Sequence, residues 1–303
     1  MTSGSRSKRA YSPATRFSNG FLSIHESVRW AVSTHQKGTM IPRSLETVLA
    51  FPPVDPPVTA TEVSTVVLDD RTVDIWSFTL VNKTPVVQRC QTWLSETERA
   101  RAQRYSHAAQ AINFILAHGG LRGVLAQYLA LPPGALEFHA GSNGKPMLLD
   151  PSGSSQSLRF NLSHSHGRML VAVAKGREVG IDLEQVREKL DALKLSERFF
   201  TATEYQDLKH RTEPDRTGRF YRYWVAKEAV LKGQGVGIGS LHQCEILPAG
   251  CDPLSSATVR CVDPSGLQSG WTIQWLNCGP GWQGAVSADG SDWTIRIRNG
   301  ENP

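Results

Sequence analysis

Paired cysteines are missing from this chain. Its five cysteines, Cys90, Cys244, Cys251, Cys261 and Cys278, are an odd number and form no C-x-x-C. That pattern excludes a disulfide framework and a cysteine zinc site, and it reads as the reduced thiols of a cytoplasmic protein. Long apolar runs are also missing: no stretch approaches the roughly 20 residues of a membrane helix. The amino terminus lacks the apolar core of a secretory signal. Dense basic runs are limited to Arg6-Ser7-Lys8-Arg9, so the net charge of +5 favours anionic partners but supplies no nucleic-acid arm. There is no G-x-S-x-G elbow, which argues against a serine hydrolase.

What is present suits a globular protein of 303 residues, with 40% apolar and 20% charged residues. Residues 1–70 differ from the rest. They are rich in Ser, Thr, Arg and Pro, culminate in Phe51-Pro52-Pro53-Val54-Asp55-Pro56-Pro57, and are expected to be a disordered extension. From Val73 the pattern becomes globular, with a half-buried strand over 73–80. A capping box, Ser95-Glu96-Thr97-Glu98, opens a helix, and a longer helix over 108–129 ends at Pro132-Pro133-Gly134. Short strands are expected over 135–138 and 158–162, and a strand pair over 168–175 and 178–183 across Gly176. A second capping box, Thr201-Ala202-Thr203-Glu204, opens another helix; a helix over 218–232 and five further strands to residue 297 follow. Two successive helix-then-strand halves, meeting near Gly180, give an α+β fold with units at 72–179 and 180–297.

The chemistry concentrates in two short segments. In Gly180-Ile181-Asp182-Leu183-Glu184, two carboxylates at i and i+2 of an extended chain point the same way, close enough to share one hard cation. In Trp224-Val225-Ala226-Lys227-Glu228-Ala229-Val230-Leu231-Lys232, Glu228 and Lys232 lie one helical turn apart. A strand-end salt bridge for Asp182 and a helix ion pair for Glu228 are the plain structural readings. Three carboxylates with lysines also suit a site that holds Mg²⁺ and a phosphate ester together. Asn161-Leu162-Ser163-His164-Ser165 and Gly141-Ser142-Asn143-Gly144-Lys145-Pro146 add polar groups able to meet phosphate. The latter is not a P-loop, because Pro follows where a helix should begin.

Together, in this order, these segments resemble the 4′-phosphopantetheinyl transferases of the surfactin-synthetase-activating (Sfp) type. That family carries G-[IV]-D-x-E, then W-x-x-K-E-[AS]-x-x-K, with N-[IL]-S-H-S, G-x-x-G-K-P and F-F-[ST]-x-x-E around them; here the last is Phe199-Phe200-Thr201-Ala202-Thr203-Glu204. The resemblance covers about residues 72 to 297. It implies two similar α+β lobes related by a pseudo-twofold, with the active site in the cleft between them. It also implies a monomer that transfers 4′-phosphopantetheine from coenzyme A to a serine of an acidic apo acyl or peptidyl carrier protein. The reaction would need Mg²⁺ and release 3′,5′-adenosine bisphosphate, with no nucleic-acid or membrane partner.

By the same resemblance Asp182, Glu184 and Glu228 handle the metal. Glu228, Lys232 and Asp182 carry the catalysis, and Lys145, Ser163, His164, Lys227, Lys232 and Arg104 meet coenzyme A. The chain departs from the family on its first long helix, where a frequent arginine is replaced by Asn113 or His118; Arg99, Arg101, Arg104 and Arg122 are the basic residues nearby. A Mg²⁺-dependent phosphohydrolase and a non-catalytic coenzyme A- or carrier-binding relative are the alternatives.

Overall fold

The computed structural model describes residues 48–54, 66–141, 144–149, 158–248, 256–261 and 270–298. Helices and sheets are mixed throughout. The first half contains strand β1 (Thr72–Thr79), helices α1 (Thr84–Trp93), α2 (Glu96–Ala102) and α3 (Ala108–Leu129), the small hairpin β2 (Phe138–Ala140) and β3 (Pro146–Leu148), and strands β4 (Leu158–Ser165) and β5 (Arg168–Lys175). The second half contains β6 (Val179–Gln185), α4 (Ala192–Phe199), α5 (Ala202–Lys209), α6 (Asp215–Gln234), β7 (Cys244–Pro248), β8 (Ser256–Cys261), β9 (Trp271–Leu276), β10 (Trp282–Asp289) and β11 (Thr294–Arg298).

Two sheets result, ordered β11-β1-β5-β4 and β6-β10-β9-β8-β7. Period-two alternation explains how they stack. On β5, Met169, Val171 and Val173 pack with Phe114, Leu121 and Leu125 of α3, whereas Leu170, Ala172 and Ala174 join a separate core. That second core also holds Val179, Ile181 and Leu183 of β6 with Val286 and Ala288 of β10, so it fills the space between the sheets. Helix α6 covers the far side of the second sheet, where Val225, Ala229 and Val230 cluster with Ile273, Trp275 and Ala285. The layers therefore run α3, first sheet, second sheet, α6. With β6 turned so that its odd-numbered residues face the inter-sheet core, Gly180, Asp182 and Glu184 face α6.

Several expectations are corrected by the contacts. Strands 168–175 and 178–183 are not a pair: β5 pairs with β1 and β4, while β6 pairs with β10, so the Gly176 turn passes the chain from one sheet to the other. Strand β11 leaves the second half and lies parallel to β1, with Thr72 opposite Thr294. The segment over 135–138 begins as a 3-10 turn, Pro133–Ala135, and becomes a strand only at Phe138.

Residues 48–54, expected to be part of a disordered extension, pack onto the body. Leu49 and Val54 are buried; Leu49 N donates to Asn277 O at 2.8 Å, and Val54 N donates to Thr79 O at 3.0 Å. Phe51 lies over the Arg168 guanidinium, which also covers Trp282, both at 4.5 Å. Val66 and Leu68 are buried too. The disorder expected of residues 1–47 lies outside the described residues. Among the described residues, no helix is long and apolar enough to cross a membrane.

Candidate functional site

Strand β6 and helix α6 meet backbone to backbone. A Cβ on Gly180 would fall 1.9 Å from the Ala229 carbonyl, and one on Gly233 would fall 2.4 Å from the Trp271 ring. Only glycine permits this approach, and it brings one turn of α6 against the face of β6 that carries Asp182 and Glu184. At that contact Lys232 Nζ lies 2.5 Å from Asp182 Oδ1.

Strand β4 supplies the third side. Asn161, Ser163 and Ser165 are buried at alternate positions of one strand face. Asn161 Oδ1 accepts from Ile181 N at 3.0 Å, and Ser163 Oγ accepts from Leu183 N at 3.2 Å and donates to Asp182 Oδ1 at 2.9 Å. Ser165 Oγ donates to Glu184 Oε2 at 3.2 Å. These side chains replace a main-chain ladder between β4 and β6, and each ends beside a carboxylate or its flanking amide. The proton of Ser163 is directed at Asp182 and its oxygen also accepts from Lys232 at 3.2 Å, so it orients the acid. Asn161 and Ser165 were missed as site residues, although the i, i+2, i+4 spacing with Ser163 marked them.

Asp182, Glu184 and Glu228 are all buried, with one nearby ammonium. Burial first, and then the Asp182 charge, push both Glu184 and Glu228 up to about 8. Burial alone would lower Lys232, but Asp182 and Glu228 outweigh it and hold the ammonium above its ordinary value. Asp182 Oδ2 and Glu228 Oε1 are buried without a hydrogen-bond partner. Unpaired buried oxygens of this kind cost more than most folds tolerate. Among the described residues, no three His, Cys, Asp or Glu side chains are arranged as a ready ligand group for a metal ion. Even so, three carboxyl groups around one ammonium, with two orphaned oxygens, fit a hard divalent cation, because oxygen donors are its preferred ligands.

The other expected residues divide. His164 is exposed on the opposite face of β4 from Ser163. Arg104 is exposed just past α2, in the helical layer over the first sheet. The Lys227 side chain is 0% exposed and its Nζ lies 2.7 Å from Glu204 Oε2, with Leu241 O and Cys244 O as further acceptors. The residue before Glu228 points elsewhere on the helix, and here Lys227 is engaged entirely by groups of the fold.

Lys145 is likewise engaged within the fold. It is buried, and its ammonium donates to Gly233 O at 2.6 Å, Glu178 Oε2 at 2.7 Å and Val179 O at 3.4 Å, which uses its three hydrogens. Arg122 is buried too, paired with Glu98 Oε2 at 2.7 Å and with the Pro133 and Leu136 carbonyls. A hollow of about 160 Å³ lined by Leu94, Arg99, Ala111 and Ile115 lies among α1, α2 and α3. It holds no carboxylate, in contrast to the β4–β6–α6 cluster.

Residues 178–280, which carry both β6 and α6, match the model of the 4′-phosphopantetheinyl transferase superfamily. The 4′-phosphopantetheinyl transferase HetI of Nostoc sp. is 38% identical over 186 residues, covering 61% of this chain and 78% of that relative. The 4′-phosphopantetheinyl transferase psf-1 of Bacillus pumilus is 30% identical over 200 residues, covering 66% of this chain and 81% of its own length. The 4′-phosphopantetheinyl transferase Sfp of Bacillus subtilis is 30% identical over 151 residues; the match covers 50% of this chain and 64% of Sfp.

Proposed function

This chain belongs to the 4′-phosphopantetheinyl transferases, and we propose that it moves the phosphopantetheine arm of coenzyme A onto a serine of an acidic apo acyl or peptidyl carrier protein. The serine oxygen attacks the β-phosphorus, the bond from that phosphorus to the bridging oxygen breaks, and 3′,5′-adenosine bisphosphate leaves. The observation that carries this reading is the buried set Asp182, Glu184 and Glu228 beside Lys232, with two carboxylate oxygens left unpartnered. Asp182, Glu184 and Glu228 would hold Mg²⁺, which when bound supplies positive charge to the diphosphate.

The chain's own groups do the rest. Lys232 brings a cation to the charge that develops on the diphosphate, as phosphoryl transfer requires. Asp182, held by Ser163 at 2.9 Å and Lys232 at 2.5 Å, fixes that lysine in place. Glu228, whose Oε1 has no hydrogen-bond partner within the fold, is the carboxylate placed to take the serine proton, directly or through a water. Arg104 and His164, both exposed, are the coenzyme A contacts retained from the sequence. In this reading the two helix-covered sheets are pseudo-twofold lobes of a cytoplasmic monomer, with coenzyme A in the cleft between them.

The test is to incubate the protein with coenzyme A, Mg²⁺ and an apo carrier protein and to weigh the carrier. A mass gain of one phosphopantetheine is expected. Phosphate release without that gain would mean a phosphohydrolase, and no change at all would mean a binding-only relative; either result overturns the proposal.

A further inference from the structure

The close approach of β6 and α6 has no side chain inside it to fix the crossing. Gly180 and Gly233 meet there because neither has a Cβ, so at that point no side chain interlocks helix and strand, and the Lys232–Asp182 pair lies to one side of it. The contact is instead bridged from outside by one residue of the first half. Lys145 precedes β3 at the end of a turn closed by Gly141 N donating to Lys145 O at 2.8 Å, with Gly144 at a φ of +80° that favours glycine. From this turn the side chain reaches 88 residues along the sequence to Gly233 O, at 2.6 Å, on the helix side. On the strand side it reaches Val179 O, at 3.4 Å, next to Gly180.

We infer that Lys145 is a positioning residue: a staple across the β6–α6 crossing that sets the register of Asp182 and Glu184 against Glu228 and Lys232, and not a ligand of the nucleotide.

Three features support it. Gly233 O belongs to the last turn of α6, where carbonyls lack intrahelical partners and the helix dipole favours a cation. Glu178, 2.7 Å from Lys145 Nζ, is shared with Arg159 of β4 at 2.7 Å, so the hairpin, β4, β6 and α6 are tied at one point. Finally, the stapled backbone adjoins the chemistry: Gly233 follows Lys232, and Val179 lies three residues before Asp182. A shift at the staple therefore moves the Lys232–Asp182 pair, and misplacement of reacting groups by about 1 Å costs on the order of a hundredfold in rate. Burial holds the Lys145 pKa below its ordinary value, although Glu178 opposes that shift. An ammonium with every hydrogen engaged has none left for a phosphate.

The inference rests on the function proposed above, and its test separates the two. In Lys145→Met the turnover number for carrier loading should fall about tenfold or more while KM for coenzyme A stays within about twofold. The preference for coenzyme A over dephospho-coenzyme A, measured by calorimetry, should be unchanged. Weakened coenzyme A binding with an unchanged turnover number would overturn the staple and restore Lys145 as a ligand.

If Lys145→Met does not fold, Glu178→Gln carries the same test, since it loosens the staple at a half-exposed partner and leaves the ammonium in place. A fall in turnover number with unchanged coenzyme A affinity supports the inference, and an unchanged turnover number overturns it. Should the wild-type protein load no carrier, the proposed function fails alone, because amide hydrogen exchange reads the staple without turnover. Faster exchange confined to residues 179–183 and 229–235 in either variant supports it, and unaltered exchange there overturns it.

Discussion

Two clusters of buried carboxylates in this molecule are treated in opposite ways. Asp74, on β1, is 0% exposed and fully answered. Arg296 Nε donates to its Oδ1 at 2.6 Å, while Tyr128 OH at 2.6 Å and Arg298 Nε at 3.2 Å serve its Oδ2. Tyr128 in turn accepts from Trp76 Nε1 at 2.7 Å, and burial with the Asp74 charge raises its pKa. At β6 and α6 three carboxylates share one ammonium, two oxygens have no partner, and two of the acids are pushed up to about 8. Both arrangements cost desolvation; only the first recovers it within the fold. Completed charge belongs to architecture, and incomplete charge is where a ligand is owed.

The contrast can be broken from either side, and the largest effect is expected at Asp74. Asp74→Ala removes the shared acceptor of Tyr128, Arg296 and Arg298 and should cost about 1–3 kcal/mol in denaturant unfolding. Loading activity per folded molecule should remain near normal. Asp182→Asn should do the reverse, lowering carrier loading by at least about a hundredfold with little loss in unfolding free energy. If Asp182→Asn destabilised the protein as much as Asp74→Ala, the two clusters would be alike and the site assignment would fail.

The pH dependence sharpens the same contrast. Glu184 and Glu228 have folded-state values near 8 against an ordinary 4.5. Between those values the folded protein keeps protons that the unfolded chain has released. The stability this contributes is present below about pH 4.5 and is lost as pH rises through about 8. Thermal melts of the metal-free protein should show that decline, and Glu228→Gln should flatten it. A smaller effect concerns the segment of residues 48–54. Phe51→Ala removes a ring from the Arg168 guanidinium and should cost about 1 kcal/mol in unfolding free energy. A melting temperature unchanged by Phe51→Ala would mean that this packing contributes nothing.

How much of this the sequence disclosed depends on range. Helix 108–129 and both capping boxes were legible, because period, caps and breakers act within a few residues: Glu98 closes on Ser95, and Glu204 on Thr201. The site segments were legible for the same reason, since Asp182 with Glu184 and Glu228 with Lys232 are local pairs. Helix α1 was missed because it opens on Pro85 with no capping side chain, and its buried residues are only Val86 and Cys90.

Other misses were long-range. Nothing near Gly176 reveals that β5 and β6 belong to different sheets, and nothing near Lys145 reveals an acceptor 88 residues away. The packing of Leu49 and Phe51 was hidden by the prolines around them, which suppress regular secondary structure without preventing burial.

The parallel pairing of β11 with β1 bears on how the protein is made. Strand β1 leaves the ribosome early, but residues 72–76 of one edge have no strand partner until residues 294–298 arrive, and Asp74 waits 222 residues for Arg296. Closing so long a span costs chain entropy before any contact repays it. The first sheet therefore cannot be completed ahead of the second, and the nascent chain must hold part of an edge open, with Asp74 lacking its cationic partners, through most of its synthesis.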